Sequence, residues 1–291
     1  MFNKSDLFKE KINSNTLIIG IGARDALEAK LIEEANFDFV WSSSLGVSAS
    51  YCVPDASLIS MNQYLTAARS MNEVISIPII ADCDTGYGNI NNLIYAVKLF
   101  EEAGIAGICV EDKKFPKDNS LLEGGRQELA DIKEFSSKIS AAKDTQKSDS
   151  FCVIARLESF IAGWGMEDAL KRAYSYEKAG ADMILVHSKL NVPDEIISFT
   201  NNWNGKIPIV IVPTNYYSFT EEQIQKYKKI KIVIYANQIL RKSIITTQQI
   251  LEEIRNNKGI NTVQNEIATV SEIFRLQGVP EMKAQEKKYN T

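Results

Sequence analysis

Short apolar, β-branched runs recur along the whole chain: "TLIIGIG" (16–22), "FDFVWSS" (37–43), "SIPIIADCD" (76–84), "IAGICVED" (105–112), "FCVIARLE" (151–158), "ADMILVHS" (181–188), "IPIVIVPT" (207–214) and "KIVIYANQ" (231–238). Runs of this length and make-up predict buried strands. Between them lie stretches with apolar residues at helical spacing, such as "DALEAKLIEEA", "NNLIYAVKLFEEAG" and "MEDALKRAYSYEKAG". Three segments echo one another: "EEANFDFVW", "EEAGIAGICV" and "YEKAGADMILV" each close a helix on Ala-Asn or Ala-Gly before a strand begins. Asparagine or glycine suits the left-handed residue that ends many helices. Strands alternating with helices predict parallel βαβ units, and eight units in one chain of this length fit a TIM-type (β/α)8 barrel. No Gly/Ser-rich linker interrupts the pattern, so residues 1–291 are expected to form one domain. "TTQQILEEIRNNKG" and "TVSEIFRLQG" predict helices beyond the last strand.

Composition narrows the class. With 45% hydrophobic and 24% charged residues, the 291-residue chain has the balance of a soluble globular protein. A formal charge of −4 and the absence of a long basic run argue against a general nucleic-acid binder. No apolar run reaches membrane-spanning length, and "MFNKSDLFKEKINSN" lacks the apolar middle of a signal peptide, so a cytoplasmic location is expected. Cys52, Cys83, Cys109 and Cys152 form no CxxC pair. Those in strand-like runs read as reduced packing residues. His187 is the only histidine, which excludes a multi-histidine zinc site.

In such a barrel the chemistry gathers at the C-terminal ends of the strands. Polar residues stand there in most of the predicted strands: Trp41, Ser42, Ser43 and Ser44 in the second, Asp82 and Asp84 in the third, Glu111 and Asp112 in the fourth. Arg156 and Glu158 follow in the fifth, His187 and Ser188 in the sixth, Asn237 and Gln238 in the eighth. Asp82 and Asp84 are two apart and on a strand would share a face. Converging carboxylates require a cation or proton between them. Oxygen-only donors suit Mg²⁺ or Mn²⁺. Each feature also has a plainer structural use: a turn for Asp-x-Asp, a structural ion pair for Arg156 with Glu158. Residues 113–123 make a long, lysine-bearing loop, ending at Gly124-Gly125 before the predicted helix "RQELADIKEF". Its position predicts a lid hinged on the glycines; its charge alone would equally suit a solvated loop.

"ADCDTGYGN", "EDKKFPKDNSL", "ARLESFIAGWG" and "ILVHSK" resemble the phosphoenolpyruvate mutase branch of the isocitrate lyase superfamily, and the similarity extends to "VSEIFRLQ" near the C-terminus. The most specific element is the lid pattern Lys-x-Asn-Ser, here Lys117 to Ser120. The resemblance implies a (β/α)8 barrel whose last helix is exchanged with a partner subunit, in a tetramer built from dimers. It implies Mg²⁺ bound directly by Asp82, with Asp55, Asp84 and Glu111 holding its waters. It implies that Ser43, Ser44 and Leu45 bind the substrate carboxylate beside Trp41, that Arg156 and His187 contact the substrate's charged groups, and that Lys117, Asn119 and Ser120 are lid contacts. Ser44 departs from the family, where glycine is usual. The implied reaction interconverts phosphoenolpyruvate and phosphonopyruvate, making the carbon–phosphorus bond of phosphonate biosynthesis. Such a transfer needs cationic and amide donors around a metaphosphate-like group in a site closed to water.

Carbon–carbon lyases of the superfamily carry a lid cysteine in a "KKCGH" pattern, which this segment lacks. The rival is phosphonopyruvate hydrolase, which this chain resembles in "SASYCVPDASLISM" and "GGRQEL" but whose lid carries threonine where Asn119 stands. A barrel that had lost catalysis and served as a binding or assembly protein would be expected to lose some of these strand-end residues.

Overall fold

A computed structural model describes residues 3–289. Eight parallel strands close into a barrel in the order of the sequence: β1 (Ile18–Ala23), β2 (Phe39–Ser42), β3 (Ile79–Asp82), β4 (Gly107–Glu111), β5 (Cys152–Leu157), β6 (Met183–Val186), β7 (Ile209–Ile211) and β8 (Ile230–Tyr235), with β8 returning to β1. Every predicted apolar run overlaps one of these strands, and the fold is the predicted (β/α)8 type. The strands are shorter than the runs, and pairing extends to polar residues such as Asp82, Glu111 and Arg156. The predicted helices are present as Ala26–Glu34, Ile90–Glu102 and Gly165–Lys178. Asn36, Gly104 and Gly180 follow them with φ of 61°, 76° and 98°, the left-handed conformation expected of the three echoed segments.

Side chains alternate across each strand, so one set fills the barrel and the other meets the helices. The inner set packs Phe39, Trp41, Ile80, Cys109, Ile154, Met183, Leu185, Val210, Ile232 and Ile234 into one buried cluster. Gly20 makes room for it, since a Cβ there would lie 2.1 Å from the Phe39 ring. Helix Lys4–Asn13 adds Phe8 to the same cluster, edge-on to Phe39 at 5.3 Å. Cys83, Cys109 and Cys152 are buried free thiols, while Cys52 is exposed.

One predicted helix begins later than expected. Residues 126–131 run extended: Lys114 N donates to Glu128 O, Ala130 N donates to Asp112 O, and Lys113 and Leu129 form an antiparallel bridge. The helix is Ile132–Thr145, capped by Asp131, whose carboxylate accepts from Lys133 N and Glu134 N. Helical spacing could not reveal that Arg126–Ala130 first return along the strand end they must seal.

The barrel, through Gln238, forms one compact unit and Ile239 onward a second. The second holds most of helix Gln238–Asn257, then Val270–Leu276 and Val279–Tyr289, the first two of which cover the predicted C-terminal helices. Val270–Leu276 is capped by Thr269, which accepts from Glu272 N. Among the described residues no helix is long and apolar enough to cross a membrane.

Candidate active site

Continuing the inner set by twos beyond the core leads from hydrophobic to polar positions: Trp41 to Ser43, Ile80 to Asp82, Cys109 to Glu111, Ile154 to Arg156 and Glu158, Leu185 to His187. The barrel's own periodicity therefore lays the polar groups on top of the core. They meet around a chamber of about 60 Å³. Its walls include Trp41, Ser43, Ser44, Leu45, Asp55, Asp82, Arg156 and His187, and loop residues Lys117, Asn119 and Ser120 roof it. Every site residue expected from the sequence lines this chamber except Asp84 and Glu111. Val212, Thr214, Ala236 and Asn237, at the ends of β7 and β8, complete the wall.

Asp84 and Glu111 stand behind Lys117. The buried Lys117 ammonium lies 2.8 Å from Asp84 Oδ1, 3.1 Å from Asp55 Oδ2 and 4.0 Å from Glu111 Oε1. Burial lowers the lysine pKa, but the carboxylates of Asp84, Glu111 and Asp55 outweigh it and hold the ammonium charged. Asp55 is pushed up by burial and pulled down further by Lys117 and the Asn119 amide, whose Nδ2 donates at 2.7 Å. Asp84 is pushed up to about 7, by burial first and by neighbouring Asp55, Asp82 and Glu111. Asp82 is also raised, again chiefly by burial.

The shared-face argument for Asp82 and Asp84 does not hold. β3 ends at Asp82, and Asp84 lies beyond it with φ of 49°, in a turn where Gly86, Tyr87 and Gly88 also have positive φ. Asp84 reaches the cluster through that turn, while Lys138 Nζ ties the turn down by donating to Thr85 O and Gly88 O.

Glu158, which the sequence suggested only as a partner of Arg156, is the hub of the far wall. Wholly buried, it takes Arg156 Nε and His187 Nδ1 (3.1 Å) on Oε1, and Ser120 Oγ (2.6 Å) with Lys113 Nζ (3.5 Å) on Oε2. Burial raises its pKa, but Arg156, Lys113 and His187 prevail and hold it well below the usual range. His187 is lowered by burial and by Arg156, whose Nη2 lies 2.9 Å from Nδ1, so the ring is neutral at pH 7. Lys113, which would read as a solvated loop lysine, is 2% exposed and donates to Ser120 Oγ at 2.6 Å and Asp118 O at 2.9 Å. No short-range pattern signals this, because its partners come from another strand and from the loop's own fold-back.

Asp112 faces away from the chamber. It accepts from Glu158 N at 2.9 Å, Tyr176 OH at 2.6 Å and Arg172 Nη1 at 3.0 Å. Arg172 is itself 1% exposed and also bonds Asp168 and Ala130 O. This network fixes the backbone that carries Glu158.

The chamber joins buried cations, neutral donors and carboxylates with unused lone pairs. Asp55 Oδ1, Asp84 Oδ2 and both Glu111 oxygens are buried and accept no hydrogen bond. Under-bonded, oxygen-only donors fit a hard divalent cation. Among the described residues, no three acidic, histidine or cysteine side chains are placed to ligate one ion directly. Mg²⁺ is commonly held by one or two carboxylates while keeping several waters, a mode these donors can serve.

A family model described as phosphoenolpyruvate phosphomutase matches residues 8–255. The chain is 45% identical over 286 residues to phosphoenolpyruvate phosphomutase from Tetrahymena pyriformis, covering 98% of this chain and 95% of that one. It is 44% identical over 286 residues to phosphonopyruvate hydrolase from Variovorax sp. (strain Pal2), covering 98% and 99%. A crystal structure of phosphonopyruvate hydrolase in complex with oxalate and Mg²⁺ superposes with a TM-score of 0.95 at 42% identity, covering 100% of both chains.

Proposed function

Because the chain belongs to the phosphoenolpyruvate phosphomutase family, we propose that it is the mutase itself, an isomerase interconverting phosphoenolpyruvate and phosphonopyruvate. The observation that carries this reading is the chamber's roof, where Asn119 stands with Lys117 and Ser120 over Arg156 and His187. A mutase must keep the phosphoryl group from water while its acceptor changes from oxygen to carbon. A planar amide reaching from a loop can donate to phosphoryl oxygens throughout that exchange; threonine offers one shorter hydroxyl.

In this reading the first turn of helix Ser44–Ser50, with Ser43 and Leu45, binds the substrate carboxylate beside Trp41. Arg156 and the neutral His187 hold the substrate's charged groups, kept in place by Glu158. Lys117, Asn119 and Ser120 close over the phosphoryl group and exclude water. Asp82 would hold Mg²⁺ directly, and Asp55, Asp84 and Glu111 would hold it through water; the ion would supply positive charge to the enolate, and Mn²⁺ would suit the same donors. Residues 1–291 act as one barrel domain, on a small-molecule substrate and without nucleic acid or membrane, in the cytoplasm. Helices beyond β8 leave Ile244, Ile245, Leu251, Ile273 and Phe274 exposed, which supports a homo-oligomer, a dimer of dimers with the last barrel helix exchanged.

The second reading is phosphonopyruvate hydrolase, favoured by residues 48–61 and 124–129 and by the 44% identity to such an enzyme. A phosphorus NMR time course with phosphonopyruvate and Mg²⁺ separates the two. The mutase yields phosphoenolpyruvate with little inorganic phosphate, and Asn119→Thr weakens turnover more than substrate binding. Pyruvate and inorganic phosphate from the start, with no phosphoenolpyruvate, would give the function to the hydrolase.

A further inference from the structure

Two adjacent serines follow β2, and their hydroxyls do different things. Ser43 caps helix Ser44–Ser50, its Oγ accepting from Gly46 N at 3.1 Å. Ser44 is 1% exposed, so its hydroxyl has no recourse to solvent and must find a partner inside the protein. That partner is Asp82, with Ser44 Oγ donating to Oδ2 at 2.9 Å. β2 and β3 are neighbours with Ser42 opposite Ala81, so the two residues leave adjacent strand ends together.

The bond divides the two oxygens of Asp82. Oδ2 is committed to Ser44. Oδ1 takes only a long contact of 3.4 Å from Asp84 N, leaving its lone pairs available. A carboxylate free to rotate offers a cation either oxygen and gives up that freedom on binding. One pinned at Oδ2 presents Oδ1 in a fixed direction. Hydrogen bonds to ligating carboxylates act in this way, and their loss typically weakens metal affinity. Resting on the reading that Asp82 ligates Mg²⁺ directly, we infer that Ser44 is a positioning residue for the metal, acting through its side chain on Asp82. This is separate from any use of its backbone N–H at the substrate carboxylate.

The test is a titration of the full-length protein with Mn²⁺, following the free ion by electron paramagnetic resonance in the absence of substrate, with Mg²⁺ as competitor. Ser44→Ala keeps the Cβ and removes the hydroxyl. Ser44→Gly is a second variant in case the first packs poorly, and circular dichroism checks both folds. Either folded variant should bind Mn²⁺ roughly 10-fold to 100-fold more weakly than the wild type, and its metal-induced rise in melting temperature should shrink accordingly. Affinity equal to or tighter than wild type in a folded variant overturns the role of Ser44. Asp82→Asn separates that failure from failure of the underlying reading. If Asp82→Asn also binds like the wild type, or the wild type binds no Mn²⁺, the metal assignment falls and the inference falls with it.

Discussion

Glu111 and Asp112 are consecutive acids at the end of one strand, both buried, and they lead opposite lives. Asp112 accepts three hydrogen bonds from groups on helix Gly165–Lys178 and from the Glu158 backbone. Glu111 accepts none, and its opposing cations stand off at 3.4 Å (Arg156 Nε) and 4.0 Å (Lys117 Nζ). A one-residue step on a strand turns the side chain to the other face, so one acid meets the helical layer and the other the chamber. The saturated acid belongs to the scaffold, and the under-bonded one has lone pairs left for something the protein binds. Burial is thus a poor guide to function here, while hydrogen-bond accounting separates the two.

The largest effect should come on the chamber side. Asp82→Ala is expected to abolish Mg²⁺-dependent turnover, a loss on the order of 1000-fold or more, with the fold intact by circular dichroism. Wild-type activity and metal affinity in that variant would remove the metal from this site. Asp112→Ala should do the converse. It removes one of the two carboxylates paired with the buried Arg172 guanidinium and should cost about 3 kcal/mol in urea denaturation. Glu111→Gln should change stability far less while cutting turnover roughly 10- to 100-fold. If the two variants lost stability equally, the contrast between saturated and under-bonded acids would collapse.

A pH series sharpens the comparison. Asp84 is raised to about 7 against an ordinary value of 3.8, so its protonated form favours the folded state. That contribution is complete below about pH 4 and is lost as pH rises through 7. Mg²⁺ needs the ionised carboxylate, so the metal-induced gain in melting temperature should be greater at pH 8 than at pH 6. Asp112, raised by burial to about 6 despite Arg172, should lose its share over a lower window with or without metal. A metal-induced shift independent of pH would dissociate Asp84 from the metal. The smallest effect concerns the roof. Leu121 and Leu122 are 38% and 56% exposed while Lys117 and Ser120 are buried, so thermolysin, which cuts before leucine, should cut first within residues 113–123. Mg²⁺ with a substrate analogue should slow that cut several-fold. Equal rates with and without them would argue against a closing lid.

The eight strands and the polar crowns above them could be read from the chain because both follow short periods. A β-branched run announces a buried strand whatever surrounds it, and a polar residue two beyond an inner apolar one stays on the same face. Asn36, Gly104 and Gly180 mark helix ends for a reason local to each residue. The loop residues Lys117, Asn119 and Ser120 could be singled out only through resemblance, since a lysine-rich loop has no periodicity to interpret.

The amino-acid sequence by itself determined the barrel, its order and the ring of strand ends where chemistry collects, since these depend on propensities and spacings within a few residues. Only the tertiary structure decided what each polar group does there. Lys117 turns inward to carboxylates as far as 62 residues away, Arg172 reaches Asp112 across 60, and Ser44 finds Asp82 across 38. Such partners exist only once the sheet has closed on itself. Closure takes the charges out of water, and each buried group must then be satisfied by whatever the neighbouring strand or helix brings within reach.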